Sequence, residues 1–180
     1  MDELVLEKPS MCHEGRAMAY RKEFLAFGEK KIQGACGLAD YTDYKDWLAQ
    51  AARYGDAAAS PWGVAATTYF SVHRGNGRII GTIQLRHTLS EEMKRGGGHI
   101  GYSIRPTERG KGYAKQQLGL VLQEADRLGL TRVMVSCDKR NVASAAVIRS
   151  CGGVLYWEGF SGFFHMFIQI YWIDRRTGIR

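Results

Sequence analysis

A chain of 180 residues with a formal net charge of +7 fits one domain, long enough to bury most of its apolar surface. Its 45% hydrophobic and 24% charged residues are those of a globular protein, and no apolar run approaches the roughly 20 residues of a membrane span. The basic residues are scattered rather than gathered with aromatics on one segment, which argues against a nucleic-acid partner.

The chain opens on Met1-Asp2-Glu3-Leu4-Val5, which is acidic rather than basic-then-apolar, and Asp2 stands where myristoylation needs Gly. The expected compartment is therefore the cytoplasm, with no membrane partner. Leu4–Leu6 predicts a short strand. Ser10 is placed to cap a helix over Met11–Phe27, where Ala17, Tyr20, Phe24 and Phe27 recur at helical spacing. After the glycines Gly34 and Gly37, Tyr41–Tyr54 reads as a second helix and Asp56–Gly63 as a loop around Pro61. Thr67–His73 and Arg78–His87 are rich in β-branched and aromatic residues and flank Gly75-Asn76-Gly77, a hairpin signal.

Gly96-Gly97-Gly98 leads into a strand over His99–Ile104. A helix over Gly112–Leu128 carries the apolar stripe Leu118, Val121, Leu122, Ala125 and Leu128. Thr131–Cys137 reads as a strand, and Asn141–Ser150 as a short helix stopped by Gly152-Gly153. Val154–Glu158 and Phe164–Ile173 form a closing hairpin turned by Gly159–Gly162. The aromatic cluster Phe160, Phe163, Phe164, Phe167, Tyr171 and Trp172 reads as core and sheet face. The result is one α/β domain over residues 1–180, a mixed sheet of about seven strands flanked by about four helices.

Cys12, Cys36, Cys137 and Cys151 are widely spaced, with no Cys-x-x-Cys pair, and adjacent Cys12-His13 suits metal ligation poorly. No metal is expected, and reduced, partly buried thiols are the preferred reading.

The informative stretch is His99-Ile-Gly-Tyr-Ser-Ile-Arg-Pro-Thr-Glu-Arg-Gly-Lys-Gly-Tyr-Ala114. A strand enters a basic, glycine-containing turn that opens directly into an amphipathic helix. Such a turn presents main-chain amides at the positive end of a helix dipole. Gly110 and Gly112 let the chain approach an anion closely, and Arg109 and Lys111 add charge at the rim. A dinucleotide fingerprint is excluded because Lys115 occupies the third glycine position and the acidic residue comes late. A Walker loop is excluded because Gly112, not Ser or Thr, follows Gly-Lys.

The run Arg109-Gly-Lys-Gly112-Tyr-Ala114 resembles the Arg/Gln-x-x-Gly-x-Gly/Ala signature of the GNAT acetyltransferase superfamily. A second match, Asn141-Val-Ala-Ser144-Ala-Ala-Val147 before Gly152-Gly153, resembles its cofactor-side helix in the variant found in ribosomal-protein N-terminal acetyltransferases. The resemblance covers roughly residues 99–153. It implies a bulged strand at His99–Ile104 that splays from Thr131–Cys137, with the pantetheine of acetyl-CoA lying along Tyr102, Ser103 and Ile104. The amides of Arg109, Gly110, Lys111, Gly112, Tyr113 and Ala114 would hold the pyrophosphate, and Asn141 and Ser144 the far side of CoA.

Where the superfamily often places its general base, this chain has Gly98 and Ile100, and where it often places a leaving-group Tyr it has Ile148. Tyr102 is the first catalytic candidate and His99 the second, with His87 weaker. Cys137 reads as a small hydrophobe, and His13, His73 and His165 have no partner visible in sequence. The implied activity is direct transfer of acetyl from acetyl-CoA to a primary amine, on a small molecule or on a protein or peptide. The rival class is a non-catalytic acyl-CoA-binding sensor. Oligomeric state stays open, with a homodimer the commonest arrangement.

Overall fold

The computed structural model describes residues 3–162 and 164–176. Seven strands form one sheet: β1 (Leu4–Glu7), β2 (Ala66–His73), β3 (Ile79–Arg86), β4 (Ile100–Ile104), β5 (Arg132–Asp138), β6 (Gly153–Ser161) and β7 (Met166–Asp174). Their order is β1-β2-β3-β4-β5-β7-β6, antiparallel throughout except for the parallel pair β4–β5. Helices α1 (Glu14–Ala26) and α2 (Tyr44–Arg53) cover one face, burying Tyr20, Phe24 and Trp47 against Phe70 and Val72 of β2. Helices α3 (Tyr113–Arg127) and α4 (Val142–Ser150) cover the other, where the stripe Leu118, Val121, Leu122 and Ala125 meets Ile83, Leu85 and Val133. This is the α/β arrangement, with the strand and helix numbers, that the sequence patterning predicts.

Local differences have local causes. The first helix begins as a 3-10 turn over Met11–His13. There the His13 ring folds back so that Nδ1 accepts from Ser10 N–H at 3.2 Å, while Nε2 meets Glu7 Oε2 at 2.8 Å. His13 thus has a partner six residues upstream. The closing hairpin turns later than expected, because Gly159 pairs with Ile168 inside the ladder. Gly159 belongs in that strand because a Cβ there would lie 2.4 Å from the Trp157 ring. The hairpin aromatics divide: Tyr171 is wholly buried in the core, whereas Phe160 of β6 and Phe167 of β7 are each 56% exposed on the sheet; Phe163 lies outside the described residues.

β4 positions the site. Its five residues pair with β3 in unbroken register from Gly81↔Ile104 to Leu85↔Ile100, so the expected bulge is not in this strand. The backbone irregularity falls one step earlier, at Gly98, whose φ of +64° packs its Cα against the Met134 carbonyl; a Cβ there would lie 2.8 Å from that oxygen. The expected splay from β5 is present. His99 N–H donates to Met134 O at 2.8 Å, Ile100 pairs with Val135, and beyond that pair the two strands part. On the α1 side the loop before α2 crosses β4 at Gly34 (φ +71°), where a Cβ would stand 2.1 Å from Gly101 O.

Candidate active site

The parting of β4 from β5 opens a groove in two connected sections. The first, about 470 Å³, runs along Tyr102, Ser103 and Ile104 to the turn before α3, with α4 opposite. The second, about 430 Å³, continues past Ile100 and Cys137 toward Trp62, Arg86 and the β6–β7 turn. Gln33, Tyr102, Asn141 and Ser144 line both sections and mark their junction.

The end wall of the first section is the start of α3. Gly112 is its N-cap at φ +84°, and Gly110 stands at φ +77° with open space where a Cβ would be. The first helical bond of this turn is Gln116 N–H to Gly112 O, 3.3 Å. Amides ahead of Gln116 therefore have no acceptor within the helix, and with the dipole they form an anion cradle. The turn is braced from α1: Thr107 N–H and Oγ1 both donate to Glu23 Oε1, at 3.0 and 2.8 Å, and Arg105 Nε pairs with Glu23 Oε2 at 2.9 Å. Burial by itself would raise the Glu23 carboxyl, but these bonds together with Arg105 and Arg78 hold it below its usual value.

The rim cations are already committed. Arg109 forks onto Glu29 through Nη1 (2.6 Å) and Nη2 (2.9 Å), while its Nε donates to Ile104 O. Lys111 pairs with Glu108 at 2.9 Å. All the residues expected to hold the cofactor line the first section except Lys111, which points to that carboxylate instead. Ser103 contributes main chain, since its hydroxyl turns to Tyr20 (3.0 Å) and Thr82 (2.9 Å) on the α1 side. The Asn141 side chain is partly spent, its Oδ1 capping α4 by accepting from Ser144 N–H at 3.0 Å.

At the junction the Tyr102 hydroxyl lies 2.8 Å from Ser144 Oγ, spanning the groove from β4 to α4. Burial pushes the phenol up to about 12, against the lowering effect of the Ser144 bond, so Tyr102 is protonated at neutral pH. Ile148, in the position where the superfamily often carries a Tyr, is fully buried in the core beneath α4.

His99 is not brought to the groove. It is 5% exposed, its Nδ1 accepts from Met134 N–H at 2.9 Å, and its ring sits edge-on to Trp172. Burial and then Arg86 push its pKa down to about 4, so it is neutral. His87 meets Thr67 Oγ1 at 2.8 Å and lines neither section. Cys137 lines the second section, with burial pushing its thiol up, as suits a small hydrophobe rather than a nucleophile. Arg86, Trp62 and Phe164 carry no motif; only folding brings the end of β3, the loop after α2 and the β6–β7 turn to one wall.

Residues 19–154, most of the chain, match the model of the acetyltransferase (GNAT) domain. The chain belongs to the GNAT acetyltransferase family. It is an acetyltransferase, with acetyl-CoA as the family's cosubstrate. No curated protein compared by sequence matches it. Among solved structures the GNAT domain is similar to Mycobacterium smegmatis RimJ in complex with CoA-disulfide, at 15% identity and a TM-score of 0.71, covering 98% of this chain and 84% of that one. It is similar also to the ribosomal-protein-S5-alanine acetyltransferase of Vibrio fischeri, at 19% identity and TM-score 0.68, over 98% and 94% of the two chains. A third is the microcin C7 self-immunity acetyltransferase MccE in complex with acetyl-CoA and AMP, at 17% identity and TM-score 0.68, over 97% and 94%. At these identities the likeness is one of fold. Among the described residues no group of three His, Cys, Asp or Glu side chains could hold a metal ion, and no helix is long and apolar enough to cross a membrane.

Proposed function

We propose that this acetyltransferase carries acetyl from acetyl-CoA directly to an α-amino group, with CoA in the first section of the groove and the acceptor in the second. The observation that carries the reading is the Tyr102–Ser144 contact, 2.8 Å, at the one place where the two sections meet. The cradle fits a diphosphate: glycines at positive φ, open space over Gly110 and amides at a helix start. Acetyl-CoA supplies an activated thioester. Beyond Ile100 the main chain of β4 has no β5 partner, so it is free to pair with an extended amide-bearing arm as a strand would.

Tyr102, held protonated, is suited to hydrogen-bond the departing sulfur, with Ser144 orienting the hydroxyl, and the proton that the attacking amine sheds as the amide forms balances the thiolate that leaves. The same pKa makes Tyr102 a poor base. Asp138, the carboxylate lining the second section, is held by Arg140 through Nη2 at 2.8 Å and kept below the usual range. Among the described residues at the junction, Gln33, Tyr102, Asn141 and Ser144, none is a strong base, so the acceptor must arrive neutral by itself. A lysine amine is neutral roughly once in two thousand at pH 7, the α-amino group of a peptide about one time in ten. That difference favours α-amines, and the ribosomal-protein alanine for which the Vibrio fischeri enzyme is named is in keeping with it.

The test is CoA release from acetyl-CoA by the purified chain over a panel of α-amines, ε-amines and short peptides. Turnover on α-amines, with ε-amines far behind, is the expected result. Acetyl-CoA binding without release on any amine would instead make the chain an acyl-CoA sensor.

A further inference from the structure

At the far wall of the second section, the end of β3 places a guanidinium that has no counter-ion. Arg86 spends Nη1 on two carbonyls of the preceding turn, Gly97 O at 3.2 Å and Gly98 O at 2.9 Å. Its Nε is buried and without a hydrogen-bond partner, and no carboxylate pairs with it among the described residues. Five other cations around the groove have carboxylate partners: Arg105 with Glu23, Arg78 and Lys111 with Glu108, Arg109 with Glu29, Arg140 with Asp138; Lys31 and Lys115, without an ion pair among the described residues, line the first section and not this one.

A desolvated donor left unpaired costs about 1–3 kcal/mol, and more when it is charged. A planar guanidinium is shaped for carboxylate oxygens. Nearby groups do not supply the missing charge. His99 is neutral and Cys36 is a thiol raised to about 12 by burial. Asp138 lines the same section from β5 but is engaged by Arg140. Trp62, Met93, Phe164 and Met166 add an apolar stretch to the wall, next to the uncharged polar side chains of Gln33 and Ser136.

We propose that Arg86 is an anion-recognition residue of the acceptor site, so that the preferred acceptor is an amine that also carries a carboxylate. An apolar portion would lie against the Trp62 and Met93 wall, the carboxylate on Arg86 and the amine at the Tyr102–Ser144 junction. The inference rests on the second section being the acceptor site. Two sources offer this chemistry: the α-carboxylate of a free amino acid, or an acidic side chain close to the N-terminus of a peptide.

Matched acceptors separate these sources and test the claim. One arm pairs amino acids with their carboxamides, compared per neutral amine because the α-carboxylate makes its own α-amine more basic; the other pairs amidated peptides bearing Asp or Asn at the second or third position. Wild type is expected to favour the acidic member of at least one arm by about ten- to a hundredfold in kcat/KM, the range of a hydrogen bond to a charged group. Arg86→Gln, whose amide still donates to the Gly97–Gly98 turn, should erase that ratio, and Arg86→Lys should keep part of it. Acetyl-CoA affinity should hold in both variants, which excludes general misfolding.

Thermal protection of CoA-saturated protein by the same pairs reads the preference without turnover. Equal behaviour of acid and amide in both arms, or a preference that survives in Arg86→Gln, would overturn the assignment. Failure of the acetyl-transfer reading looks different: no CoA release with any amine, whatever its charge.

Discussion

The two sections of the groove are built on opposite plans. The first section, proposed to hold CoA, is made largely of main chain: the exposed edge of β4, the helix start at Gly112 and glycines at positive φ, with Arg109 and Lys111 already paired with Glu29 and Glu108. The second section is made of side chains from distant segments, Trp62, Arg86, Asp138 and Phe164, and holds a half-buried cation without a carboxylate partner among the described residues. The lesson is that a site whose ligand is fixed can be written in backbone geometry, while one that must choose a ligand is written in side chains.

The largest effect that could break this contrast is on cofactor affinity. Gly112→Glu should lower CoA affinity at least a hundredfold, because any side chain at φ +84° is strained and this one adds a negative charge to an anion cradle. Calorimetric titration checks it. At the junction, Tyr102→Phe should lower kcat about ten- to a hundredfold with KM for acetyl-CoA little changed, as expected for loss of a hydrogen-bond donor to the departing sulfur. A KM effect of the same size would make Tyr102 a binding group instead.

His99 sharpens the comparison from the other side, since it belongs to packing and not to either section. Unfolded, it titrates near 6.5; folded, near 4. Between those values the unfolded chain holds more protons, so stability is full above about pH 6.5 and falls as pH drops toward 4, by up to ~3 kcal/mol. His99→Asn, whose Oδ1 can still accept from Met134 N–H, should flatten that slope in thermal melts while retaining turnover at pH 7.5. A collapse of kcat in a well-folded His99→Asn would return it to the site. The smallest effect is expected from Lys111→Ala, a change of no more than about threefold in CoA affinity, since the exposed Lys111 ammonium is turned to the buried Glu108, which keeps Arg78 as a partner when Lys111 is lost.

Legibility in the sequence follows the same division. The helix stripe Leu118–Ala125, the β2–β3 hairpin and the Arg109–Ala114 turn are contiguous, so periodicity and glycine spacing expose them directly. Asn141 and Ser144 were readable as neighbours one helical turn apart, though not the helix-capping bond that occupies Asn141 Oδ1. What was hidden depends on contacts across the chain. Arg86 reads as an ordinary strand-end cation until the Gly96–Gly98 turn folds over it. His99 reads as a catalytic candidate until Met134 takes its Nδ1. The late hairpin turn is hidden because glycine at 159 gives room to the Trp157 ring within the ladder and does not mark a bend.

The most direct test of the central claim, that main-chain amides at the start of α3 hold the diphosphate, is one calorimetric series with CoA. Wild type and Lys111→Ala should bind alike and Gly112→Glu should show no heat at the same concentrations. Undiminished binding by Gly112→Glu, or a loss in Lys111→Ala as large as that in Gly112→Glu, would contradict it.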